Sequence, residues 1–285
     1  MLRGILVLTL CFVWTGLLQI PVTLSVLLTW SGETSLWLAR NFWAPVILRS
    51  AGVTLVADPL PAIDPKKPYV FMSNHQGFFD IPAACATIPN NIHFVAKKSL
   101  GYVPVLGWYI RVAGHILIDR GRRQEAMRSL ELAGAKIAKG KSIIIYPEGT
   151  RSRDGVIRPF KKGPFVMALA AQVPIVPVAI EGTKDIMTKG GIRMRPGRVR
   201  IRLGEPIPTA GLTMADRETL MRLVHDRLID AHLAIGGVGG DREQAIAESD
   251  RRVSRDLDSA SQGPSETLSE QPGDRSGDAS RGAKA

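Results

Sequence analysis

The chain has 285 residues, enough for one sizeable core with residues to spare for an anchor or a tail. Its 37 Lys and Arg against 26 Asp and Glu leave a net charge of +11, and residues 236–285 hold 7 basic and 10 acidic groups, so the excess sits in residues 1–235. A basic surface of this kind calls for an anionic partner. A nucleic-acid partner finds no support, since no RNP-like aromatic motif, zinc-finger spacing or basic heptad array is present.

From Gly4 to Gly32 there is no charged side chain. About 20 apolar residues cross a bilayer core, so length permits a transmembrane helix. Pro21 divides the run into pieces near 4–20 and 22–31, and Trp14 and Trp30 suit a membrane interface. A bent helical pair lying in one leaflet is therefore the alternative to a straight span. A cleaved signal peptide fits less well, because the apolar region is too long and no A-x-A-like site follows it. Arg40 and Arg49 after the segment place the main domain on the cytosolic, reducing side; Cys11 lies in the apolar run and Cys85 after a small-residue stretch, so neither a bridge between them nor a metal site is expected.

Residues 34–50 read as a second helix, with Leu36, Trp37, Phe42 and Trp43 as its apolar face. Short β-branched runs follow at 53–56, 69–72, 94–96, 115–118, 142–146, 175–180 and 199–203, each a strand candidate. Helical patterns at 81–88, 122–139, 165–171 and 213–234 lie between and after them. Strands alternating with helices predict an α/β fold: a mostly parallel sheet flanked by helices, preceded by an N-terminal membrane-associated helical segment. The expected division is 1–50 for membrane-associated helices, 51–235 for the α/β domain and 236–285 for a disordered tail. That tail opens with Gly-Gly-Val-Gly-Gly and is too polar to offset its ordering entropy.

Two strand ends carry reactive groups, as open α/β sheets commonly do. The first is Asn74-His75-Gln76-Gly77-Phe78-Phe79-Asp80. On a continuous helix, His75 and Asp80 would stand roughly 140° apart, so the chain must turn between them, and Gly77 permits that. Asp80 would then cap the helix beginning Ile81-Pro82 and also accept from Nδ1–H of His75, leaving Nε2 to take a proton. A simple cap and a simple strand end account for the same residues. The second is Tyr146-Pro147-Glu148-Gly149-Thr150-Arg151-Ser152. Arg151 can hold phosphate oxygens bidentately, and Thr150 and Ser152 can add hydroxyl donors. A solvated surface turn is the competing reading.

Together these motifs resemble those of the glycerolipid acyltransferase family, with its bacterial 1-acylglycerol-3-phosphate branch as the nearest match. The likeness runs over residues 50–205 and includes Ala96-Lys97-Lys98-Ser99-Leu100, Val103-Pro104-x-Leu106-Gly107, Ile116–Arg120 and Val173–Val178. The resemblance implies His75 as general base, Asp80 as its orienting partner, and Lys97, Arg120 and Arg151 as phosphate ligands. It also implies that Glu148 and Gly149 shape the acceptor pocket, beside Thr150. No Gly-x-Ser-x-Gly elbow, Walker A or H-E-x-x-H pattern points to another chemistry.

The implied reaction moves a fatty acyl group from a thioester to the free hydroxyl of lysophosphatidic acid, at the inner membrane of a bacterium. No cofactor is expected; acyl-CoA or acyl carrier protein serves as co-substrate, and lysophospholipid and membrane lipid are the partners. A different acceptor (glycerol 3-phosphate or a lyso-aminolipid) and a non-catalytic lipid-binding protein are the alternatives. His93, His115, His225 and His232 are expected to be structural or solvated.

Overall fold

The computed structural model describes residues 2–29, 32–103, 106–118, 123–187 and 190–246. Helix α1, Leu2–Thr29, runs unbroken through Pro21 rather than splitting there. Losing one backbone N–H at a proline costs less than ending a helix inside an apolar run, which would leave several N–H and C=O groups without partners. The helix is long and apolar enough to cross a membrane by length and composition. One stripe, including Gly4, Val7, Cys11 and Val22, is buried against the body, while Leu2, Leu6, Phe12 and Leu28 face outward. Trp30 lies outside the described residues.

The expected helix over 34–50 is α2 (Glu33–Leu38), a π-helical turn (Ala39–Trp43) and α3 (Ala44–Ser50) in succession. Its inward face is Leu36, Ala44, Ile47 and Leu48. Trp37 and Phe42, expected on that face, instead pack on each other at the surface with ring centroids 5.6 Å apart. The π turn shifts the angular phase of the helix between its two halves, so a single 3.6-residue stripe cannot describe both.

All seven predicted strands are present: β1 (Val53–Ala57), β2 (Val70–Ser73), β3 (Ile92–Lys97), β4 (Ile116–Ile118), β5 (Ser142–Ile145), β6 (Ile175–Glu181) and β7 (Gly197–Leu203). They form one sheet in the order β1-β7-β6-β2-β5-β3-β4, parallel except where β6 meets β7. The helices between and after them are α4 (Asp80–Thr87), α5 (Leu106–Val112), α6 (Arg123–Ala138), α7 (Gly163–Ala171), α8 (Thr183–Ile186) and α9 (Arg217–Ala234).

Strand β2 is buried on both faces, and its residues alternate between two cores. Val70 and Met72 pack with α6, α7 and α9 on one side, and Phe71 packs with α1, α3 and α4 on the other. Because β2 is parallel to both neighbours β5 and β6, the carboxyl ends of all three strands open on the same edge.

The boundary at residue 235 falls too early. Residues 236–246 are ordered, bridging Ile157 to Gly240 and Phe160 to Ile246, and Ala245 and Ile246 are buried. Two apolar side chains and a run of backbone hydrogen bonds hold a segment whose composition alone reads as linker. The remainder of the expected tail, 247–285, lies outside the described residues.

Candidate active site

Asn74, directly after β2, fastens this strand end to β6. Its Nδ2 donates to the carbonyl of Ile180 at 2.8 Å, and its Oδ1 accepts from Ile180 N–H at 2.8 Å. The chain then turns, and Nδ1 of His75 stands 2.6 Å from Oδ2 of Asp80. That same oxygen accepts from the backbone N–H groups of Gln76 (2.7 Å) and Gly77 (2.9 Å), while Oδ1 accepts from the Thr183 hydroxyl.

Asp80 is fully buried and is the first residue of α4, one place further in than the predicted cap. Its carboxylate reaches back to the loop N–H groups instead of forward into the helix, so the two roles weighed for it are not shared. Gly77 is needed for proximity rather than for a left-handed turn. A Cβ there would stand 2.7 Å from the carbonyl oxygen of Thr183.

With Nδ1 committed to a buried carboxylate, Nε2 of His75 is the ring nitrogen left for a substrate proton. The side chain keeps 20% exposure, and Tyr146 stacks on it with centroids 4.1 Å apart. The ring is therefore held by one hydrogen bond at its edge and one aromatic face.

The second strand end meets the first directly. Glu148, buried, accepts from His75 N–H at Oε1 (2.8 Å) and from Arg158 N–H at Oε2 (3.0 Å), and Ser152 N–H donates to the His75 carbonyl at 2.7 Å. Burial pushes the Glu148 carboxyl up to about 7; the two N–H donors oppose this, and the Asp80 carboxylate adds to it. Glu148 thus braces the His75 loop from below. Gly149 adopts φ of +72°, a backbone conformation that favours glycine.

Thr150 is exposed and Arg151 half-buried on the same turn. Ser152 departs from the expected role: it is buried and its hydroxyl donates to Asp154 at 2.8 Å. Lys97 ends β3, and its position in that strand is all that is described of it. Arg120 lies outside the described residues.

Lys161 is a residue that the sequence reading passed over. Its side chain lies across Gly149, with Nζ 3.2 Å from where a Cβ would stand, and among the described residues no carboxylate pairs with it. Its neighbour Lys162 meets Glu218 at 2.9 Å. Adjacent lysines look alike in sequence, and only the fold turns one toward the Glu148–Arg151 turn.

Beside the loop lies an apolar cavity of about 410 Å³, within the range of small-molecule sites. Phe78, Ile81 and Cys85 of the His75–Asp80 loop and α4 form one wall; Leu18 and Val22 of α1 form another. Burial raises the Cys85 thiol to about 12, which leaves it protonated and a poor nucleophile. His115, also on the cavity, is driven down to about 3 by burial, by His93 and by Lys141. His93, His115, His225 and His232 are all buried, so the solvated option for them does not hold.

The Acyltransferase family pattern matches residues 56–181. The chain is 37% identical over 175 residues to the 1-acyl-sn-glycerol-3-phosphate acyltransferase of Saccharomyces cerevisiae, covering 60% of this chain and 57% of that protein. It is 35% identical over 179 residues to the human 1-acyl-sn-glycerol-3-phosphate acyltransferase alpha, covering 62% and 63%. The chain thus spans about three fifths of the length of these relatives. The crystal structure of the 1-acyl-sn-glycerophosphate (LPA) acyltransferase PlsC from Thermotoga maritima superposes with a TM-score of 0.70 at 26% identity, over 82% of this chain and 94% of that one. The match to the Acyltransferase family over residues 56–181 takes in β2 to β6 and both strand-end motifs.

Proposed function

We propose that this chain transfers a fatty acyl group from an acyl thioester to the free hydroxyl of lysophosphatidic acid, forming phosphatidic acid. The observation that carries the reading is the 2.6 Å His75–Asp80 contact at a strand end, beside an apolar cavity.

An alcohol is a poor nucleophile at neutral pH. Nε2 of His75 removes its proton as the oxygen attacks the thioester carbonyl; a C–O bond forms and the C–S bond breaks. The proton then passes from the imidazolium to the departing thiolate. Asp80 holds the ring tautomer and stabilises the transient positive charge. Arg151 and Lys161 supply cations for the acceptor's phosphate, with Lys97 and Arg120 as further ligands from the family resemblance. The apolar cavity takes the acyl chain. Helix α1 attaches the protein to a membrane, with the α/β domain on the cytosolic face of a bacterial inner membrane.

The test is a purified assay that offers lysophosphatidic acid, glycerol 3-phosphate and a phosphate-free lysolipid, each with acyl-CoA and acyl carrier protein thioesters, and identifies the products by mass. Phosphatidic acid is the expected product. His75→Ala should lower kcat by about 10²–10⁴; near-normal turnover would remove His75 from the chemistry. Equal use of the phosphate-free acceptor would remove the cationic residues from acceptor recognition.

A further inference from the structure

The Gly-rich segment after α9 reaches the reactive loops at two points. Gly236 turns with φ of +85° and Gly239 with φ of +72°, which sends the chain back over the end of α9. The ring of His232, fully buried near that end, occupies the space a side chain at 237 would need; a Cβ there would stand 2.2 Å from Nε2. Gly239 N–H donates to His232 Nδ1 at 3.2 Å. With Nδ1 accepting, Nε2 carries the proton and donates to Glu181 Oε2 at 2.7 Å.

Glu181 ends β6, on the same sheet edge as His75. Its Oε2 also accepts from the side-chain amide of Gln76 at 2.7 Å, and Lys184 binds Oε1. Burial works against the Glu181 anion, yet the His232, Gln76 and Lys184 donors outweigh it and hold the carboxyl at about 2. Gln76 is the residue after His75, and its backbone N–H is one of the donors that fix Asp80. A chain of hydrogen bonds therefore runs from Gly239 through His232, Glu181 and Gln76 to the Asp80 carboxylate.

The second point is the limb that returns from the Glu148–Arg151 turn. Ile157 N–H donates to the Gly239 carbonyl and Phe160 N–H to that of Ala245, each at 2.8 Å. Between them lies Arg158, whose N–H binds Glu148, and Glu148 in turn accepts from His75 N–H. The segment 236–246 thus braces the His75 loop from both sides.

We propose that residues 236–246 form a strap that positions the His75–Asp80 pair, with His232 of α9, held by Gly239 of the strap, as the main positioning residue acting through Glu181 and Gln76. This rests on the acyl-transfer reading above. His232 touches no reacting atom; its contribution is the orientation of the loop, and misplacing a reactive group by about 1 Å can cost 10²-fold in rate.

His232→Phe keeps the ring's bulk and removes the hydrogen bonds to Gly239 and Glu181. It should lower kcat by about 10- to 100-fold with the KM for the acceptor little changed. His232→Gln, which restores a donor toward Glu181, should recover part of that loss. Combined with Gln76→Ala, the His232→Phe loss should shrink, because residues acting in one chain are not additive. A chain ended after Ile246 should match the full-length protein, and one ended after Ile235 should lose activity.

The rate at which His75 is carbethoxylated, followed by peptide mass, reads the loop without any acyl substrate. It should change in His232→Phe and in Gln76→Ala. If the full-length chain acylates no lysolipid while this rate still shifts, the function fails and the strap stands. Unchanged carbethoxylation, unchanged kcat in His232→Phe, or full additivity with Gln76→Ala overturns the strap.

Discussion

Glu148 shows what burial does to one carboxyl. Its pKa rises from 4.5 to about 7, with burial as the largest cause. The folded chain therefore holds a proton that the unfolded chain releases across that window, so this group's effect on stability becomes less favourable as pH rises from about 4.5 to about 7. Below that window the group is protonated in both states and adds no pH dependence. Glu148→Gln should lower stability outright, since its amide nitrogen would face the N–H of His75 or Arg158, yet it should flatten the decline of thermal midpoint between about pH 5 and pH 8. A variant that declines as steeply as the wild type would show that Glu148 does not titrate there. The motif named this residue, and the fold adds that its carboxylate accepts from the N–H groups of His75 and Arg158.

At the scale of elements, α1 does more than its apolar composition implies. Val22 is buried on the body-facing stripe and lines the cavity beside α4. The N-terminal helices thus complete a wall that the α/β domain leaves open. Val22→Phe should narrow the cavity and reduce kcat/KM for long-chain thioesters more than for short ones, measured across a donor series. A uniform loss across chain lengths would separate the cavity from the acyl chain. The strands were readable because each is a short β-branched run between turn residues. The unbroken α1 and the phase change at Ala39–Trp43 were not, since proline and periodicity report local cost while neighbouring packing decides whether that cost is met.

For the whole molecule, the positive charge is not evenly neutralised. Arg200 and Arg202 approach Asp58 at 3.7 and 3.1 Å, whereas Arg193, Arg195 and Arg198 are exposed and, among the described residues, have no carboxylate partner. The loop that carries Arg193 and Arg195 touches the start of α1, where Ile192 meets Gly4. Anionic lipid beside an apolar helix would suit this arrangement. Replacing the three arginines with Gln should weaken sedimentation with phosphatidylglycerol vesicles by roughly 1 kcal/mol per charge, and salt should do the same to the wild type. Equal binding to phosphatidylcholine vesicles in the wild type would rule out the electrostatic contribution.

The amino-acid sequence alone determined the seven strands, the α/β class and the two strand-end motifs that hold His75, Asp80, Glu148 and Arg151. Those features depend on residues close together in the chain. Only the tertiary structure decided that Asp80 reaches back to the loop, that Lys161 rather than Lys162 lies over Gly149, and that 236–246 packs against the domain. Each of these depends on a partner far away in sequence: Thr183 for Asp80, Glu218 for Lys162, Ile157 and Phe160 for the glycine-rich strap. A short polar or glycine-rich stretch carries no periodicity to announce such a partner, so its order follows from the surface it meets.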